Sequence, residues 1–392
     1  MTTRIFNKSN ITLSAVVAAP AGWPLPVGNK DWTNGYLDLN ATVKYGISLI
    51  SEARNNGADL VAFPELWFPG YPKSLAAKWL FPRVEEYVQQ SLVVDSDEWQ
   101  ALRDAARENE VFVSFGYSER DGDYIYMSQA LFGPDGKVLI NRRKLRPSGT
   151  ERGLWSDGDM SGLQVVDTEI GRISMLQCWE HLRPSMTFNI QAQMPNIHVG
   201  PWPYNENPGS DVENWEDTQV AYSALNLMSI MTNAVTVTPS IGHGFINQFT
   251  THLATSDSNQ TASPTDDQGF APIIYTSVNG SSWSNQSYNL DGEVSWGTLK
   301  QIEDGFPEYI PKEIGDFVPY RQYPTDRIVA DLRSGNASES IVPFAIFNTS
   351  ATETSSLPAA SSSFAASSAM NGVVCAPLQL AAFAAAVVYT WW

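Results

Sequence analysis

The chain has only two cysteines, Cys178 and Cys375, and no Cys-x-x-Cys pair. Two cysteines cannot build a disulfide scaffold. Histidine is as sparse. His181, His198, His243 and His252 are the only four, and no two stand at the His-x-x-x-His spacing of a helical zinc site. That scarcity speaks against a resident metal, because zinc sites draw on several such ligands. Positive charge is short too: 24 Lys and Arg stand against 42 Asp and Glu, a formal net charge of −18. Nucleic acid needs a basic footprint, so it is set aside as a partner. Docking on anionic lipid is disfavoured for the same reason. A small neutral substrate remains compatible, because the field inside a cleft can differ from the net charge.

What is present suffices for a large core. The chain has 392 residues and is 43% hydrophobic, which suits one large domain or two smaller ones. Residues 11–20, ITLSAVVAAP, read as a buried strand ended by proline. Asn40 reads as the N-cap of a helix carrying Val43, Ile47 and Ile50, with Gly57 at its C-terminal stop. Further strands are expected at 59–63, 111–118, 196–200 and 234–239, and helices at 96–109, 187–193 and 217–232. Residues 129–140 read as a hairpin turning on Pro134-Asp135-Gly136, and 163–178 as a second strand pair. Strands that alternate with helices, some paired as hairpins, predict an α/β fold with mixed sheets. Beyond about residue 250 polar residues dominate and long loops are expected, with a short strand at 272–277 and a late one at 328–332.

Three stretches could carry chemistry. Glu65 follows a strand and is walled by Trp67, Phe68 and Tyr71 with intervening prolines. Desolvation there would raise its pKa and suit it to general-base work, whereas a solvated acid at a loop edge would do nothing. The cluster 142–146, RRKLR, is either a solvated basic face or the source of a fixed ammonium, with Glu151 seven residues past Lys144. Cys178, in SMLQCWEHLRPSM, is a small core filler or a nucleophile whose proton a nearby base removes.

Together these stretches resemble the nitrilase family of carbon–nitrogen hydrolases. The resemblance runs through most of residues 11–245. It rests on AVVAAP, LVAFPELWFPGYP, GYSERDGDYIYMSQALFGPDGKVLINRRKLRPSGTER, GRISMLQCWEHLRPSM and HVGPWP, in that order. The Trp179-Glu180-His181 sequence is similar to the nitrilase branch and its fungal cyanide-hydratase relatives. The resemblance implies a four-layer α-β-β-α sandwich. It implies Cys178 as nucleophile, Glu65 as general base, Lys144 as charge stabiliser and Glu151 as its support. It further implies a small nitrile as substrate, no cofactor, and a homo-oligomer, either a dimer or a larger spiral. Trp67, Phe68, Tyr71, Trp179, Trp202 and Tyr204 are candidates to line the substrate pocket, with core packing as the alternative for each.

The hydrolase domain is expected over 11–335, with a divergent or inserted region at about 251–323. A Ser/Ala-rich linker follows at 350–372 and an uncharged apolar tail at 373–392. Small residues, a spacer and a hydrophobic end resemble a glycolipid-anchor signal, and the tail is also long enough for a membrane anchor. Asn-x-Ser/Thr acceptors, such as those at Asn279 and Asn285, agree with a secretory, membrane-anchored route. Against it, the first apolar run matches a core strand rather than a cleavable leader, which leaves a cytoplasmic location as the alternative.

Overall fold

Strand β1 (Ile11–Val16) is almost wholly buried, which is why its sequence is continuously apolar rather than alternating. The structure is a computed structural model and describes residues 8–23, 35–72, 80–205, 217–256, 271–283, 300–302, 304–305 and 321–334. Helix α1 (Leu39–Asn55) follows, and Asp38, not Asn40, is its N-cap, accepting from the Ala41 N–H. Both residue types cap well. The earlier one takes the position because Leu39 must already lie on the buried face of the helix.

The chain then builds β2 (Leu60–Ala62), α2 (Val84–Gln90), α3 (Asp97–Glu108), β3 (Phe112–Asp121), β4 (Tyr124–Phe132) and β5 (Val138–Arg143). Strands β1, β2 and β3 are parallel, and β3, β4 and β5 form an antiparallel meander. A second half supplies β6 (Val166–Thr168), β7 (Gly171–Met175), α4 (Pro184–Gln191), β8 (Ile197–Val199) and the short β9 (Tyr204–Asn205). Next come α5 (Thr218–Thr232), β10 (Val235–Thr238), β11 (Ile241–Gly242), β12 (Phe245–Gln248) and β13 (Thr251–Thr255). Strand β14 (Ile273–Val278) returns to pair antiparallel with β1. The result is two six-stranded sheets, ordered β14-β1-β2-β3-β4-β5 and β13-β12-β10-β8-β7-β6, with β9 and β11 as a small parallel pair.

The two sheets pack face to face. Leu13, Leu60, Phe112 and Leu131 of the first meet Ile173, Met175, Val199 and Val237 of the second. Helices α1 and α3 cover the outside of the first sheet through Val43, Ile50, Trp99 and Leu102. Helices α4 and α5 cover the second through Ile190 and Met228. This is the four-layer α-β-β-α sandwich, with each sheet shielded on both faces.

The late segment departs from expectation. Residues 328–332 are not a strand but part of helix α6 (Thr325–Ser334). Its two buried residues, Ile328 and Leu332, stand four apart, a helical spacing, while Asp326, Arg327 and Arg333 face outward. The polar region after residue 250 contributes edge strands to both sheets, β13 beside β12 and β14 beside β1. The rest of 251–323 lies largely outside the described residues, as do the linker at 350–372 and the tail at 373–392. Among the described residues no helix is long and apolar enough to cross a membrane.

Trp99 anchors the outer core, with its ring 4.9 Å from Phe132, 5.5 Å from Tyr117 and 5.8 Å from Phe115. Trp99→Ala should lower unfolding free energy by about 3–5 kcal/mol, measured by urea titration, and Trp99→Phe by clearly less. Equal losses in the two variants would show that the ring's packing is not what holds α3 to the sheet.

Candidate active site

Strand β2 ends at Ala62, and the chain runs on through Phe63 and Pro64 to Glu65, which is buried between the sheets. The Glu65 N–H donates to the Trp202 carbonyl at 3.3 Å, tying the end of one sheet to a loop that follows β8 in the other. Gly116 of β3 makes this possible. A Cβ there would lie 2.7 Å from Glu65 Cα and 2.8 Å from the Pro64 carbonyl oxygen, so only glycine lets the two backbones approach.

Lys144 follows β5. Its N–H donates to the Met127 carbonyl, and its Nζ donates to Glu65 Oε1 and Glu151 Oε2, each at 2.9 Å. Glu151 sits in a short 3-10 turn, Gly149–Gly153, fixed by a reciprocal cap with Ser148. Tyr71 donates its hydroxyl to the other oxygen, Glu151 Oε1, at 3.2 Å. Cys178 opens a second 3-10 turn, Cys178–Leu182, after β7. Its φ is +41°, a conformation that L-residues rarely adopt, and its N–H donates to the Pro201 carbonyl at 2.9 Å. Four residues singled out in the sequence thus meet at one place: Glu65, Lys144 and Glu151 by direct hydrogen bonds, and Cys178 close enough to feel the charges of all three.

Burial pushes the Cys178 thiol well above its ordinary range, and the Glu65 charge adds to this. At rest the thiol is therefore protonated. Burial also pushes Glu65 up to about 7; the Lys144 ammonium opposes that rise and the Glu151 charge supports it. Burial disfavours the Lys144 ammonium, but the Glu151 and Glu65 carboxylates outweigh it and raise the pKa, so the lysine stays charged. A neutral thiol, a carboxylate balanced near neutrality and a permanent cation form a set that can move a proton off sulfur and hold developing negative charge.

Two features were not read from the sequence. Arg142, expected as part of a basic cluster, is buried and grips Glu180 through two 2.7 Å bonds. Sequence periodicity could have signalled it: Arg142 and Lys144 share one face and Arg143 the other, where it binds Glu119 and Asp121. The second is a buried relay. A carbonyl can only accept, so His181 Nδ1–H donates to the Cys178 carbonyl at 2.8 Å. His181 Nε2 must then accept from His198 Nε2–H at 2.8 Å, and His198 Nδ1 from the Ser174 hydroxyl at 2.7 Å. Nothing in local sequence links Ser174 with His198; only the β7–β8 register does.

The pocket candidates divide. Trp67 does not reach the site. Its Nε1 donates to the Ala18 carbonyl, and its ring packs on Phe63, Phe68 and Tyr45 beneath α1. Phe68 shares that core. Their positions in the sequence beside Glu65 mislead because successive side chains after a strand point to different faces. Trp202 is buried and stacks on His181 at 5.7 Å, so it packs against the Cys178–Leu182 turn. Trp179 is half-buried against Trp202 and α5, and its backbone N–H faces the Cys178 sulfur. Tyr71 and Tyr204 remain at the site, with ring centroids 6.4 Å apart. Tyr71 also borders a small cleft walled by Trp23, Tyr36, Leu37 and Pro69, with room for little more than a water. No group of three or more potential metal ligands occurs among the described residues.

Residues 17–238 match the family model for carbon–nitrogen hydrolases. An arylacetonitrilase of Aspergillus kawachii is 39% identical over 225 residues, 55% of this chain and 68% of the relative. A cyanide hydratase of Stereum hirsutum is 40% identical over 200 residues, 50% of this chain and 53% of the relative. Apart from the first of these, the chain spans about half the length of such relatives. Among solved structures, an amidase from Nesterenkonia sp. superposes with a TM-score of 0.50 at 15% identity, covering 77% of this chain and 98% of the other. That likeness concerns the fold.

Burial holds His181 down to about 4. The unfolded chain therefore binds a proton near pH 6.5 that the folded chain refuses until about 4, and stability from this group is present above 6.5 and lost as pH falls. Glu65 has the opposite sign, because its raised pKa favours the folded state below 4.5 and loses that advantage as pH rises through about 7. His181→Asn isolates the first effect. Its destabilisation relative to the parent should shrink by about 2 kcal/mol between pH 7 and pH 5 in urea titrations. A pH-independent difference would show that His181 is not held neutral.

Proposed function

The chain belongs to the carbon–nitrogen hydrolase family, and we propose that it hydrolyses an arylacetonitrile to the carboxylic acid and ammonia. The observation that carries this reading is the buried Glu65–Lys144–Glu151 network against a protonated Cys178. Glu65 takes the thiol proton as sulfur attacks the nitrile carbon, and the nitrogen is protonated. A thioimidate joins substrate to Cys178. One water adds across the carbon–nitrogen double bond, giving a tetrahedral species whose charge Lys144 offsets. Loss of ammonia leaves a thioester, and a second water releases the acid and restores the thiol. Two waters are consumed for each nitrile.

An aryl group is favoured by the arylacetonitrilase relatives. A second outcome uses the same intermediate. If the tetrahedral species expels sulfur rather than ammonia, the product is the amide and one water is consumed. The cyanide-hydratase relatives favour that reading.

Three results are expected. Purified protein given phenylacetonitrile should release acid and ammonia in equal amounts, and Cys178→Ala should release neither. Amide without ammonia would make it a hydratase, and no product from phenylacetonitrile, aliphatic nitriles or cyanide would end the nitrile reading. Because Glu65 must be ionised to accept the thiol proton, kcat/KM should fall on the acid side with an apparent pKa near 7. Gly116→Ala should lower kcat by about 100-fold by displacing the Glu65 backbone, an effect of the size expected for misplacement by about 1 Å. Full activity in that variant would show that the close approach of β3 is not needed.

A further inference from the structure

The catalytic lysine and the catalytic cysteine come from opposite sheets, and something must hold them in register. We propose that Glu180 is a positioning residue that clamps the Lys144 segment to the Cys178 turn through one carboxylate. The inference rests on the reaction proposed above for its kinetic readout but not for its geometry.

The Glu180 carboxylate receives four donors. Oε1 accepts from Arg142 Nη2 at 2.7 Å and from the Leu145 N–H at 3.1 Å. Oε2 accepts from Arg142 Nη1 at 2.7 Å and from the Gln177 N–H at 2.8 Å. Leu145 follows Lys144 directly, and Gln177 directly precedes Cys178. Arg142 lies two residues before Lys144 on the same face of its strand. The carboxylate therefore holds the lysine segment on both sides of Lys144 and the nucleophile segment at the residue before Cys178. A neutral amide could not repeat this, because each oxygen accepts from both a guanidinium nitrogen and a backbone N–H, and an amide nitrogen only donates.

The clamp is closed to water. Glu180 and Arg142 have side-chain exposures of 0% and 1%. Gly162 lies over Arg142 so tightly that a Cβ there would come within 2.0 Å of Arg142 Cβ. Burial alone would raise the Glu180 pKa, but Arg142 and the Gln177 N–H bring it down to about 2, so the clamp stays ionised at working pH. A buried ion pair is weak evidence for stability as such. Its placement on the backbone beside both reacting groups is what assigns it to the geometry of the site.

The test compares the full chain with Glu180→Gln, Glu180→Asp and Arg142→Lys. Leu102→Ala, in the α3 core away from the site, serves as a stability control. Each protein is melted, assayed for kcat and KM on phenylacetonitrile, and alkylated with iodoacetamide at Cys178 from pH 5 to pH 9. Glu180→Gln should lose about 100-fold in kcat with KM within about threefold, an effect of misplacing the reacting groups by about 1 Å. Its alkylation profile should shift along the pH axis relative to the parent. Leu102→Ala should melt earlier with an unchanged profile. If Glu180→Gln does not fold, the two milder variants decide, each expected to lose about tenfold in kcat with KM unchanged. Folded Glu180 and Arg142 variants with parental kcat and parental alkylation would overturn the clamp. If the parent turns over no nitrile, the proposed reaction falls while the alkylation profiles still decide the role of Glu180.

Discussion

Everything at the site depends on one buried ammonium. Lys144 has no exposed side-chain surface, and its Nζ is held between Glu65 and Glu151 at 2.9 Å from each. An isolated charge in such a place would cost many kcal/mol. The two carboxylates reverse that cost and keep the lysine charged. In return the ammonium fixes both acids, so the position of Glu65 is set by a charge-assisted bond rather than by side-chain packing alone. Remove the lysine and two buried carboxylates face each other beside a thiol.

The fold serves this arrangement through its strand ends. Glu65 follows β2, Lys144 follows β5, Cys178 follows β7, and the Pro201–Trp202 backbone that receives Cys178 and Glu65 follows β8. Ligand sites in α/β sheets commonly gather beyond the carboxyl ends of the strands. Here two sheets face each other, so their ends supply groups from both sides of one narrow space. Close packing of the inner faces makes that space rigid, and rigidity is what lets Cys178 persist at a positive φ.

Much of this was legible in the sequence, and the reasons for the failures are specific. Apolar runs bounded by turn residues located most strands, because buried strands need nothing beyond local composition. The association of Glu65, Lys144, Glu151 and Cys178 came from ordered motifs and not from periodicity. What escaped depended on the third dimension. Asp38 and Asn40 are equal as caps until the burial of Leu39 chooses between them. Ile328 and Leu332 fit a short apolar run as well as a helical stripe, and only packing decides. Trp67 stands two residues from Glu65 in sequence yet lies in the helix-side core. The Ser174–His198–His181 relay joins residues whose contact is set by strand register.

Burial and charge balance together set the proton affinity of Glu65. Around the site three buried carboxylates, Glu65, Glu151 and Glu180, are set against two buried cations, Lys144 and Arg142. Glu180 and Arg142 satisfy each other through two bonds, and Glu180 is accordingly pulled down to about 2. Lys144 is left to serve two acids. Glu151 has further donors in the Ser148 N–H and the Tyr71 hydroxyl, whereas Glu65 Oε2 makes no hydrogen bond among the described residues. Glu65, wholly buried and with the fewest donors of the three, is pushed up to about 7 chiefly by that burial; the Lys144 ammonium limits the rise and the Glu151 charge adds to it.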